Sequence, residues 1–152
     1  MRSVRRPDEW HDLLERSRAD RVKRALEGGS EYVDRTEILL PDRQSAELAA
    51  AARRNNPAAV GSIPLEYVDD TLSFHPEWVV DQIAPRPVLF ITTDDDRLVP
   101  REESERLYAR AGEPKRLVVL KGFGHYEVYQ DPAFTQVMDA TLAWYGQYLP
   151  AR

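Results

Sequence analysis

Three consecutive carboxylates, Asp94-Asp95-Asp96, and one histidine, His125, are the residues whose types and spacing suit chemistry. The acids close an apolar run, Pro87-Val88-Leu89-Phe90-Ile91-Thr92, and lead through Arg97-Leu98 into Val99-Pro100. The histidine closes a second run, Arg116-Leu117-Val118-Val119-Leu120, by way of Lys121-Gly122-Phe123-Gly124. A carboxylate that accepts one ring N–H of an imidazole fixes its tautomer and stabilises its protonated form, leaving the other nitrogen as a general base. Taken singly, acids before a helix are most often turn or cap residues, and a histidine after Gly-Phe-Gly is most often a loop residue. The pairing of two such loops favours the catalytic reading. A competing use of Asp94, Asp95 and Asp96 with Glu102 and Glu103 is a hard-metal site, but the spacing of a calcium-binding helix–loop–helix motif is missing. No metal and no cofactor are expected.

The elements that must position this pair are strands and helices in alternation. Residues 88–92 and 116–120 are rich in β-branched and aromatic types without polar alternation, the pattern of parallel strands covered on both faces. Between them, residues 101–112 read as a helix with Ser104, Leu107, Tyr108 and Ala111 on its inner stripe, stopped by Gly112 and Pro114. Asp131 is expected to cap a last helix with Pro132 at its first position, and Phe134, Val137, Met138, Leu142, Tyr145, Tyr148 and Leu149 keep helical period. Upstream, residues 8–27 form a helix that Asp8 is expected to cap, with Trp10, Leu13, Leu14 and Ser17 on one face, followed by Val22, Ala25 and Leu26. Residues 42–54 form a second, Ala-rich helix. Residues 61–84 hold an extended start at Ile63-Pro64-Leu65, a helical stretch to Phe74 and a short helix opened by His75-Pro76. Pro85-Arg86-Pro87 predicts an extended lead-in to the first strand.

Composition removes several classes of function. The chain has 152 residues, 42% hydrophobic and 31% charged, enough for one folded domain rather than a disordered segment. A net charge of −5 without a basic face argues against nucleic acid as a partner. The absence of cysteine excludes disulfides, thiolate metal sites and a cysteine nucleophile. No apolar run is long enough to span a membrane and no signal peptide opens the chain, so a cytoplasmic protein is expected. His11 and His75 read as surface or capping residues, and Trp10, Trp78 and Trp144 as packing.

Ile91-Thr92-Thr93-Asp94-Asp95-Asp96-Arg97-Leu98-Val99-Pro100 resembles the acid-bearing loop of the α/β-hydrolase superfamily. Gly122-Phe123-Gly124-His125 resembles the histidine loop after that family's last strand. The flavour is similar to its dienelactone-hydrolase, acyl-peptidase and esterase branches. The likeness is specific over residues 83–149 and weak over residues 1–82, a position where the family often holds cap or lid helices. It implies an α/β fold, here the C-terminal portion of the α/β-hydrolase fold, with a few-stranded parallel sheet flanked by helices and with N-terminal cap-like helices at 1–82. It also implies a serine-type hydrolase of ester, thioester or amide bonds in which His125 is the base and Asp96 the orienting acid. Asp94 and Asp95 compete for the acid's role; the spacing of Asp96 to Val99-Pro100 matches the family loop best.

The departure from that family lies in the nucleophile. A nucleophile elbow needs Gly-x-Ser-x-Gly or a close variant on a strand-to-helix turn. Gly28-Gly29-Ser30-Glu31-Tyr32 lacks the second glycine, Gly61-Ser62-Ile63-Pro64 lacks the helix, and Ser104 lies within one. A triad member is worth about 10⁴–10⁶ in turnover and an oxyanion donor about 10²–10³, so the chain alone is expected to be inert. The expectation is a C-terminal half whose small-molecule acyl substrate binds only once the site is completed. A sheet of two strands has an apolar open edge, which predicts a marginal monomer that aggregates, dimerises or pairs with a separate N-terminal half. The alternative is a non-catalytic interaction module.

Overall fold

The computed structural model describes residues 5–39, 43–56 and 61–149. Its contacts divide the chain into two compact units, Met1–Phe74 and His75–Arg152. The division falls ahead of the 82/83 boundary set on the sequence, because 3₁₀ turns at Pro76–Trp78 and Val80–Ile83 pack on the helix that follows the acid loop.

The first unit opens with α1 (Pro7–Glu27). Asp8 is not its cap. Pro7 takes the first helical position, Arg6 is the capping residue, and the Arg6 N–H donates to Glu9 at 3.1 Å. Strand β1 (Tyr32–Asp34) leads into a one-turn helix, α2 (Arg35–Ile38), which Asp34 caps by accepting the Thr36 N–H at 2.8 Å. The Ala-rich helix α3 (Arg43–Asn55) buries none of its residues; the expected start at Asp42 lies outside the described residues. Strand β2 (Ser62–Pro64) pairs antiparallel with β1, and α4 (Glu66–Ser73) follows. The core is Leu13, Val33, Ile38, Leu65 and Val68, with Trp10, Leu39 and Ile63 packed against it.

The expected apolar face of α1 ends at Ser17. Val22 and Leu26 are exposed, and the buried line continues instead through Asp20. Burying a carboxylate is costly unless it is fully paired. Asp20 accepts from the Glu31 N–H at 2.7 Å, the Ser30 hydroxyl at 2.8 Å and Arg24 at 3.2 Å. Asp69 on α4 accepts from Ser17 and Arg24, each at 2.9 Å, and from both Nε and Nη2 of Arg21 at 2.9 and 2.6 Å. Beside the apolar contact of Leu13 and Val68 in the core, a polar seam joins α1 to α4.

The second unit is the strand–helix alternation the sequence predicts. Strand β3 (Val88–Thr93) and β4 (Lys115–Leu120) pair in parallel, Val88 with Lys115 through Thr93 with Leu120, and α5 (Arg101–Arg110) links them. The lead-in is a turn rather than extended chain: the Arg86 N–H donates to the Ile83 carbonyl at 3.0 Å. Val88 to Ile91 are half-buried, not buried on both faces, because β3 pairs only with β4 among the described residues. α5 ends at Arg110 with Ala111 as its cap, two residues short of the expected 112, and Gly112 is a close-packing position: a Cβ there would lie 2.7 Å from the Ala84 Cβ. Lys115 Nζ covers the last carbonyls of α5, donating to Tyr108 at 2.8 Å and Ala111 at 2.7 Å.

The final helix, α6 (Ala133–Tyr148), packs on both strands. It starts one residue later than expected, with Pro132 as its cap; Asp131 still accepts the Thr135 N–H at 3.1 Å. Its inner line is Ala133, Val137, Ala140, Trp144 and Tyr148. Of the expected stripe, Phe134, Met138, Leu142, Tyr145 and Leu149 lie outward and exposed. Trp144 and Trp10 pack, whereas Trp78 is 65% exposed and stacks on His75 with ring centroids 4.0 Å apart. No helix among the described residues is long and apolar enough to cross a membrane.

Candidate active site

Both strands of the parallel pair end at the same level, so the loops that follow Thr93 and Leu120 emerge side by side. The ladder runs one step past the strands, with the Asp94 N–H donating to the Leu120 carbonyl at 3.1 Å and the Asp95 N–H to that of Phe123 at 3.2 Å. Parallel pairing thus delivers the acid loop and the histidine loop to one rim without any need for long side chains to search for each other.

There His125 Nδ1 lies 2.8 Å from Asp96 Oδ2. The other carboxylate oxygen of Asp96 accepts the Leu98 and Val99 N–H groups at 2.9 and 2.7 Å, an Asx turn that fixes the carboxylate before α5 begins. The Asp96 side chain is 10% exposed and that of His125 28%. The pair is therefore shielded enough for the bond to matter and open enough to be reached. With Nδ1 engaged by the acid, Nε2 is the nitrogen available to a nucleophile.

The three consecutive acids go to three different places. Asp96 holds the imidazole. Asp94 turns to the histidine loop and accepts the Gly122 N–H at 2.6 Å, with Lys121 Nζ 3.7 Å from its other oxygen. Asp95 is exposed and lies 3.5 Å from Arg97. Glu102 and Glu103 sit in the first turn of α5, and no group of three potential metal ligands converges among the described residues.

Two neighbours of the pair escaped sequence reasoning. The Tyr126 ring meets His125 edge-on at 4.8 Å and 85°. Glu127 accepts the Gly124 N–H immediately before the histidine; its spacing of three residues was the only signal available. The serines weighed as nucleophiles are placed as follows. Ser30 donates to Asp20 and accepts the Glu66 N–H at 3.0 Å, Ser62 lies in β2, and Ser104 lies within α5. Ser104 is also the one serine of residues 75–152.

No family model matches the chain. The polyketide transferase grgF of Penicillium sp. is 28% identical over 130 residues, 82% of this chain and 44% of that protein. A polyketide transferase of Gibberella fujikuroi is 41% identical over 49 residues, 32% of this chain and 15% of its own length. The crystal structure of the α/β hydrolase GrgF from Penicillium sp. superposes with a TM-score of 0.72 at 22% identity, covering 95% of this chain and 51% of that one. The complex of DcsB with its substrate analogue gives 0.74 at 16% identity, covering 95% and 52%. The chain thus spans less than half the length of these curated relatives and about half of the solved structures. Its fold is α/β and matches part of the α/β-hydrolase fold, a small parallel sheet with flanking helices.

Proposed function

We propose, for a chain with this part of the α/β-hydrolase fold, that residues 83–149 carry the acid and base of a serine-type acyl-transfer site. One observation carries the reading: the 2.8 Å bond from His125 Nδ1 to an Asp96 carboxylate already anchored by two backbone N–H groups. In this reading His125 Nε2 takes the proton of a serine hydroxyl as that oxygen bonds to an acyl carbon. The imidazolium then hands the proton to the departing alcohol, thiol or amine, and Asp96 stabilises it meanwhile. The acceptor that releases the acyl group is water in a hydrolase. Because two relatives are named polyketide transferases, another nucleophile fits the same chemistry.

The serine and the oxyanion donors come, in this proposal, from a strand–helix half of the fold outside these 152 residues, whether upstream on the same polypeptide or on a separate one. It would sit against the free edge of β3 and the outward apolar line of α6. A second reading is favoured by the lack of a Gly-x-Ser-x-Gly turn in the sequence: an interaction module with no turnover of its own.

The test is hydrolysis of p-nitrophenyl acyl esters and labelling by a fluorophosphonate. Both are measured on the chain alone and on a protein that joins it to the coding sequence lying in frame upstream or beside it. The expected result is activity only in the joined protein, falling about 10⁴-fold or more in His125→Ala. Joined protein whose turnover ignores that substitution would sink the acid–base assignment, and absence of any labelling would favour the interaction module.

A further inference from the structure

We infer that Asp94 is the positioning residue of this site: it holds the histidine loop in register so that His125 meets Asp96. The inference rests on the acid–base reading above and assigns a role that the reading leaves open.

The geometry is a closed ring. Asp94 and Asp96 are two residues apart on one loop, Gly122 and His125 three apart on the other, and a side-chain bond joins each pair across the gap. At the near end Asp94 Oδ1 accepts the Gly122 N–H at 2.6 Å; at the far end Asp96 Oδ2 meets His125 Nδ1 at 2.8 Å. Gly122 has φ +77, the left-handed region that residues with a Cβ rarely adopt. The Gly122 N–H lies past the last ladder pair, Thr93 with Leu120, and Asp94 accepts it. Its own N–H is bound to Leu120, so the acceptor stands on the last rung of the sheet, the most rigid platform available.

The remaining ties on the loop are few. The Asp95 N–H to Phe123 carbonyl bond and the Gly124 N–H to Glu127 bond flank the turn. The first of these is a backbone tie at Phe123; the Asp94 carboxylate is the side-chain tie at the Gly122 end of the span, as Asp96 is at the His125 end. The charge of Asp94 is secondary, since its partner Lys121 stands 3.7 Å away with a side chain 72% exposed. What matters is the oxygen acceptor, which asparagine also provides.

The test is nitrogen-15 NMR on the full chain, reading the His125 ring nitrogens, its slowly exchanging Nδ1–H proton and the exchange rate of the Gly122 amide. In the wild-type protein the Gly122 amide is protected and the Nδ1–H signal is present. Asp94→Ala loses the signal and Asp94→Asn retains it, with circular dichroism unchanged in both. A folded Asp94→Ala protein with the wild-type signal overturns the inference, as does an Asn variant that loses the signal as fully as Ala. If Asp94→Ala does not fold, the Asn variant and the wild-type Gly122 exchange rate decide, and an unprotected amide overturns it. Asp96→Asn is measured alongside: a wild-type Nδ1–H signal that survives Asp96→Asn defeats the acid–base pair itself, whereas failure confined to Asp94 leaves that pair standing.

Discussion

Asp96 divides its two carboxylate oxygens between duties, Oδ2 to the His125 imidazole and Oδ1 to the Leu98 and Val99 N–H groups. The two duties separate by substitution. Asp96→Asn keeps an oxygen for the turn but presents an NH₂ group to Nδ1, which favours the opposite tautomer. Asp96→Ala removes both. The Asn variant is expected to melt like the parent and to lose the Nδ1-protonated tautomer in nitrogen-15 spectra. The Ala variant should also be destabilised by about 1 kcal/mol, the usual worth of a side-chain cap. In a completed enzyme either change should cost about 10⁴ in turnover. An Asn variant with unchanged tautomer would show that the acid does not orient the ring.

Gly112 and Gly146 make a matched test of packing against backbone freedom. A Cβ at Gly112 would lie 2.7 Å from that of Ala84, a short, rigid neighbour, so Gly112→Ala must push the 3₁₀ turn away from α5. Overpacking of this kind costs about 1–3 kcal/mol. Gly146 lies within α6 with nothing near its missing Cβ, so Gly146→Ala should stabilise by about 0.5–1 kcal/mol. Thermal melts should move in opposite directions; a Gly112→Ala protein as stable as the parent would mean that Ala84 yields freely.

The meeting of Asp96 with His125 was legible in sequence because the two loops are local features. Each loop follows directly on an apolar strand, and parallel pairing of the two strands does the rest. The separate duties of Asp94, Asp95 and Asp96 were not legible, since the Gly122 amide that claims Asp94 is 28 positions away in sequence. The same limit applied in the first unit. Val22 and Leu26 look like a continuing apolar face of α1, yet the buried line passes through Asp20, which is paired by Arg24 one turn on and by Ser30 and Glu31 where the chain folds back after the helix. On α6 both the inner and the outer lines have helical period, so periodicity could not say which faced the sheet.

The seam between α1 and α4 predicts how the first unit responds to acid. Hydrogen bonds from Arg21 above all, opposed by burial and helped by Ser17 and Arg24, hold the Asp69 carboxyl down from 3.8 to about 2. A carboxyl whose folded pKa is lowered adds stability that is fully present above its unfolded value and is lost as pH falls through the folded one. Asp69 should therefore contribute about 2 kcal/mol at neutral pH, lost between roughly pH 4 and pH 2. Urea unfolding of a Trp78→Phe/Trp144→Phe parent, followed by the fluorescence of Trp10, should show that loss. Asp69→Asn should be less stable at pH 7 and flatter across this window. An Asn variant with the parent's acid sensitivity would assign the effect to other carboxylates, such as Glu31, whose pKa Arg16 lowers, or Asp34, whose pKa Thr36 lowers.

The outward line of α6 bears on the proposal that another half of the fold completes this one. Phe134, Met138, Leu142, Tyr145 and Leu149 recur at helical spacing, with Leu142 59% and Leu149 69% exposed. This second apolar line lies beside the one that packs on the sheet, which widens the apolar face of α6 beyond what the two strands cover. Burying one leucine is worth about 1.5–3 kcal/mol, so Leu142→Glu should weaken assembly with the strand–helix half by about tenfold to a hundredfold. The chain by itself should self-associate through the same line. Sedimentation velocity should then show concentration-dependent oligomers in the parent and monomer in Met138→Glu/Leu142→Glu, with circular dichroism of the two proteins alike. A parent chain that stays monomeric at high micromolar concentration, or a joined protein whose assembly ignores Leu142→Glu, would show that nothing docks on this face of α6.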